Sequence, residues 1–121
     1  KGLSAVPDME IINQLAEDVG ADTALKLMSI FKEDADTRVQ AIRDFLAGTK
    51  DSEDLRIQAH SLKGLCYTYG AGRGGDAAKE LQDACDAGDA QTIQTHAQTA
   101  LDVIPGDVTA TIEEMRKLAA G

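Results

Sequence analysis

Residues 59–64 read Ala59-His60-Ser61-Leu62-Lys63-Gly64, and the spacing around them predicts a helix with two unlike faces. At about 100° per residue, Leu55, Ala59, Leu62, Cys66 and Tyr69 fall within roughly 80° of one another, an apolar stripe that calls for a core. His60, Lys63, Gly64 and Tyr67 form a neighbouring stripe centred about 130° away, toward solvent. Residues three and four apart are neighbours on a helix surface. A cation and a residue without a side chain therefore both lie beside the histidine. His60 is expected to stand exposed at the shoulder of a helical bundle, unlike a general base hidden in a dry pocket.

The flanking chain repeats the helical pattern. Aromatic residues make up 3% of the sequence and no stretch alternates strictly between apolar and polar, which argues against strands. Pro7-Asp8 opens a short helix through about Asp18, and Gly20 reads as its stop. Asp22 caps a longer helix whose apolar positions Leu25, Met28, Phe31, Ala35, Val39, Ile42 and Leu46 step by three or four, ending at Gly48. Ser52-Glu53-Asp54 begins the third helix, which carries His60 and runs to about Tyr69. A fourth starts between Gly70 and Asp76 and continues to Asp86, with Gly88 beyond it. The fifth starts at Asp89 or Ala90 and is expected to stop at Ile104, before Pro105-Gly106. Asp107 or Thr109 is then expected to cap a final helix through Leu118. Short links favour antiparallel neighbours, so the fold class is all-α: an up-and-down antiparallel four-helix bundle with an additional terminal helix or helices.

At 121 residues the chain is read as one domain, 1–121, able to bury a single core. It opens at Lys1 without a methionine, so a piece excised from a longer protein is expected. The formal net charge of −9 argues against nucleic acid, whose phosphates call for an excess of Lys and Arg, and against anionic membranes. No apolar run is long enough to span a bilayer and no signal-peptide pattern opens the chain. Cys66 and Cys85 fall on separate helices without C-x-x-C spacing, so both are read as structural thiols and the compartment as cytoplasmic.

The stretch AHSLKGLCYTYGAGRGGDAAKELQ, residues 59–82, resembles the histidine phosphotransfer (HPt) family. That pattern is a helix reading A-H-x-L-K-G, five residues, a Gly-Ala pair and a second helix ending in L-E. Here the pair is Gly70-Ala71 and the ending is Leu81-Gln82. Two departures stand out: Gly72, Gly74 and Gly75 crowd a place usually held by helix formers, and Gln82 replaces a common acidic residue. The resemblance implies that His60 is phosphorylated by the ATP-binding domain of a histidine kinase. The aspartate of a response regulator's receiver domain then takes the group. It also implies two contexts, the N-terminal domain of a chemotaxis-type histidine kinase or a free-standing or hybrid-kinase relay module.

The residues support that chemistry in their own terms. Neutral imidazole is a nucleophile near neutral pH, and Lys63 would offset charge on a phosphoryl group. By analogy with a glutamate in the chemotaxis branch, the Gln82 amide oxygen would accept the other ring N–H and orient His60. Lys79 is either a second positive charge or a solvated lysine, the latter preferred. Mid-helix Gly64 costs roughly 1 kcal/mol relative to alanine, which calls for a docking backbone or, alternatively, tight helix packing. Contacts around Arg56, Tyr67 and Arg73 are expected to set partner choice, with simple solvation the even alternative for Arg73.

No P-loop or kinase-type glycine loop is present, so whether the chain is an enzyme in its own right stays open. No cofactor is expected on this chain, and Mg2+ is expected from the partner domain. His96 reads as a plain surface histidine, and zinc held by His60, Cys66, Cys85 and His96 is disfavoured because Cys66 points inward while His60 points out. Gly70 to Gly75 joins two helices with no strand before it, a close-packed turn rather than a phosphate cradle. The competing function is a non-phosphorylated helical adaptor that binds signalling proteins through the same face.

Overall fold

The computed structural model describes residues 6–121. Five α-helices account for nearly all of them: α1 (Met9–Val19), α2 (Ala21–Leu46), α3 (Ser52–Thr68), α4 (Gly72–Ala87) and α5 (Ala90–Ala120). Helices α2 to α5 close a ring in which each packs on the next and α5 returns to α2, while α1 lies against α2 and α5. The opening Lys1 lies outside the described residues.

The links are short because glycine takes the left-handed backbone at each. Gly20, Gly48, Gly70 and Gly88 all have φ between 82° and 88°, a region costly for any residue with a Cβ. At Gly70 the chain closes a Schellman motif, with Ala71 N–H donating to Cys66 O at 2.8 Å. The same turn is fastened to the start of α1, where Asp8 N–H donates to Gly70 O at 2.8 Å. Asp8 itself caps α1, as Asp51 and Asp89 cap α3 and α5. Asp22 does not cap α2 as expected. Gly20 is the N-cap and Asp22 lies in the first turn, because the left-handed glycine reverses the chain two residues earlier.

The core is built from the predicted stripes. Met28, Phe31, Ala35, Val39 and Ile42 of α2 are buried, with Ala24 completing the stripe and Leu25 and Leu46 only partly covered. Leu55, Ala59, Leu62 and Cys66 of α3 are fully buried. Tyr69, just past α3, stacks on Phe31 with ring centroids 4.7 Å apart.

The expected break at Pro105-Gly106 is absent: α5 runs unbroken through Pro105 to Ala120, so the described residues form five helices and no sixth. Proline inside a helix costs about 3 kcal/mol. Beyond it, however, Val108, Ile112 and Met115 continue the stripe begun by Ile93, Ala97, Ala100 and Ile104, and all are buried. Each large apolar side chain buried there contributes about 1.5–3 kcal/mol, so keeping the stripe in register outweighs one lost hydrogen bond. No helix of the described residues is long and apolar enough to cross a membrane.

Candidate site on the exposed face of α3

Two cross-helix ties mark the register of α3 against α4. Near one end, Arg56 Nε donates to Asp86 Oδ1 at 2.5 Å; near the other, Tyr67 Oη donates to Asp76 Oδ1 at 2.5 Å. Counting inward along the two antiparallel helices places His60 level with Gln82 and Lys63 level with Lys79. The polar stripe of α3 thus faces out beside that of α4, with the apolar stripes of both turned into the core.

His60 is exposed, and neither it nor Lys63 makes a hydrogen bond or ion pair among the described residues. Gly64 is exposed too, and a Cβ built on it meets nothing within 4 Å. Tight helix packing is therefore not what the glycine serves, since the space it leaves opens to solvent. A histidine with an unengaged ring, a partly covered lysine with no ion-pair partner one turn away and a bare backbone patch form a site that can take on an anion.

Gln82 does not make the expected bond. Its Oε1 is buried with no hydrogen-bond partner, while the His60 ring stands out in solvent. A buried acceptor left unpaired costs on the order of 1–3 kcal/mol, so the amide is a vacant acceptor at the level of the histidine. Lys79 is engaged with Asp83 at 3.2 Å on the exposed side of α4, the arrangement of a solvated lysine. Arg56 is held by Asp86, whose hydrogen bond and negative charge raise the guanidinium above its ordinary range. Arg73 is not brought to the His60 face; with Asp76, Glu80, Thr99 and Val103 it lines a groove of about 340 Å³ on the α4–α5 side. His96, also on that side, is partly covered and lies 3.8 Å from Glu80. Among the described residues no three metal-ligating side chains converge.

Asp107 overturns another expectation. It caps no final helix; its Oδ2 instead accepts the N–H of Gly74 at 2.8 Å, in the first turn of α4. Helix α4 has no side-chain cap of its own, and the buried carboxylate supplies one from α5 while placing negative charge at the positive end of the α4 dipole. This lets a glycine-rich start, Gly72-Arg73-Gly74-Gly75, hold helical form and seats the helix that carries Gln82. Sequence reading gave Asp76 and Asp86 no role beyond marking helix ends, and gave Asp107 a different one. Asp86 shares a helical stripe with Gln82, four residues on, a spacing that assigns its face but not its partner; Asp107 carries no local signal.

The family model for the Hpt domain matches residues 26–119, which takes in most of α2 and all but the last residue of the helices after it. No curated protein and no solved structure matches the chain. The matched segment contains the whole four-helix ring apart from the first turns of α2, together with the exposed His60 face, and on that ground the chain belongs to the Hpt domain family.

Proposed function

We propose that the protein is a phosphoryl carrier in which His60 accepts a phosphoryl group from a histidine kinase's ATP-binding domain and passes it to an aspartate of a response regulator. The observation that carries this reading is the face itself: an exposed, unengaged His60, an unpaired Lys63 one turn on, and open space over Gly64. In the first step the lone-pair nitrogen of His60 attacks the γ-phosphorus, the N–P bond forms and ADP leaves. In the second a carboxylate oxygen attacks that phosphorus and the N–P electrons return to the ring. Lys63 neutralises phosphoryl oxygens in both steps, and positioning with charge neutralisation supplies most of what such transfers need. The vacant Gln82 oxygen is suited to accept the other ring N–H once the phosphorylated ring turns toward α4. The partner domain is read as the source of Mg2+ and of the accepting carboxylate. The same chemistry serves a chemotaxis-type kinase and a free-standing or hybrid relay module; Gln82, at the position of the chemotaxis branch's glutamate, inclines the reading to the former.

The test is incubation with histidine kinases and labelled ATP, comparing wild type with His60→Gln. A carrier acquires label that survives base and is lost in acid, and the variant acquires none. Absence of label from every kinase tried, a chemotaxis-type one included, would leave a helical adaptor as the better account.

A further inference from the structure

Tyr67 is fastened on two sides. A Cβ at Gly75 would overlap its ring, so the ring fills a notch that only glycine leaves in α4. Its hydroxyl meanwhile donates to Asp76 Oδ1 at 2.5 Å. Burial first, and the bond to Asp76 second, push the phenol up to about 12, so it stays a neutral donor across the physiological range. Even so, Tyr67 remains 37% exposed. It lies on the His60 stripe two turns along α3, roughly 10 Å from the histidine at 1.5 Å per residue.

Resting on the carrier reading, we infer that Tyr67 is the specificity-determining residue of the His60 face, a pre-ordered aromatic that a docking receiver domain must accommodate and that a small phosphoryl donor never meets. A protein interface covers about 800 Å² per partner, a patch reaching roughly 16 Å from its centre. A receiver centred on His60 therefore covers Tyr67, whereas a small molecule bound at the ring nitrogen does not reach it. The Gly75 notch and the Asp76 bond already restrict the ring, so little further freedom is lost on docking. Tyrosine is among the side chains enriched at interface hot spots. The receiver that fits presents an apolar or small-residue surface to the outer face of the ring.

The test separates loading from transfer. His60 is loaded with phosphoramidate, whose N–P bond breaks and releases ammonia as the bond to the imidazole forms. Transfer is then followed at rising concentrations of the receiver domain, out of a panel, that accepts fastest from wild type. Loading is expected to be unchanged in Tyr67→Ala, while the KM for the receiver rises about tenfold and kcat stays within twofold. Gly75→Ala keeps the tyrosine in the chain but evicts its ring from the notch, and it is expected to raise KM similarly. It should add nothing in the double variant with Tyr67→Ala. Tyr67→Phe, which keeps the ring in its notch, is expected within about threefold of wild type. The inference is overturned if Tyr67→Ala and Gly75→Ala both leave KM unmoved, or if kcat falls instead. Failure of the wild type to load at His60, or to pass its group to any receiver, overturns the carrier reading together with the inference and is told apart by the wild-type lane alone.

Discussion

Gly64 on α3 and Gly74 on α4 are both helical glycines in adjoining helices, and they are kept for opposite reasons. Around Gly64 nothing lies within 4 Å of where a Cβ would stand, so the missing side chain leaves room outside the molecule. At Gly74 a Cβ would meet Cys66 Sγ at 3.1 Å and Asp107 Oδ2 at 3.5 Å, so there the room is already filled from inside. The first glycine costs helix stability with no contact in return, which is what a face built for a partner looks like. The second exchanges helix propensity for a close approach of three helices and a carboxylate cap.

The largest effect expected from this contrast is in thiol chemistry. Cys66 lies against Gly74, and burial, then the nearby Asp107 carboxylate, push its thiol from an ordinary 9.0 up to about 12. At pH 8 its thiolate fraction is then about a thousandfold below that of a free cysteine. A colourimetric thiol reagent should meet half-buried Cys85 first and Cys66 only on unfolding; fast labelling of Cys66 in the native protein would contradict the packing. Because the folded chain holds that proton more tightly than the unfolded one, this contribution to stability is intact below about pH 9 and declines as the pH climbs toward 12. Because Tyr67 titrates over the same window, the contribution is read as the pH dependence of the difference in urea midpoint between wild type and Cys66→Ala.

Next in size is Asp107→Ala, which removes the cap of α4 and leaves the Gly74 N–H unsatisfied. A loss of about 2 kcal/mol is expected in urea unfolding, with Asp107→Asn losing less because it keeps an acceptor. Gly74→Ala follows, with a loss of about 1 kcal/mol, the crowding against Cys66 outweighing the gain in helix propensity. Gly64→Ala reverses the sign. It should stabilise the fold by roughly 0.5–1 kcal/mol, since alanine fits the open helical position. Transfer between His60 and a protein partner should slow nonetheless. A stabilised variant with unimpaired transfer would show that the bare patch is not a docking surface.

The periodicity of α3 was enough to separate a buried stripe from an exposed one, and the structure places Leu55, Ala59, Leu62 and Cys66 in the core with His60 outside it. The left-handed glycines at 20, 48, 70 and 88 were likewise visible as punctuation. Both are local properties, decided within one or two helical turns. The candidate site was legible in its α3 half only. Arg56 and Tyr67 could be assigned to the right face, but their ties to Asp86 and Asp76 depend on how α4 is set against α3, and no periodicity within either helix records that.

Sequence alone thus determined that the chain is helical almost throughout, which faces of α2 and α3 are apolar, and that a histidine, a lysine and a glycine share an exposed stripe, because these follow from 3.6-residue geometry and local propensity. Tertiary structure decided the rest. Pro105 stays within α5 because the stripe on both sides of it is buried, and Asp107 caps α4 rather than its own neighbourhood because the fold brings α5 to the start of that helix. Gly64 opens outward while Gly74 and Gly75 are filled, and the Gln82 oxygen is left vacant between the helices. Each of these outcomes turns on a contact between residues distant in the chain, where burial and the pairing of polar groups override what any short segment prefers.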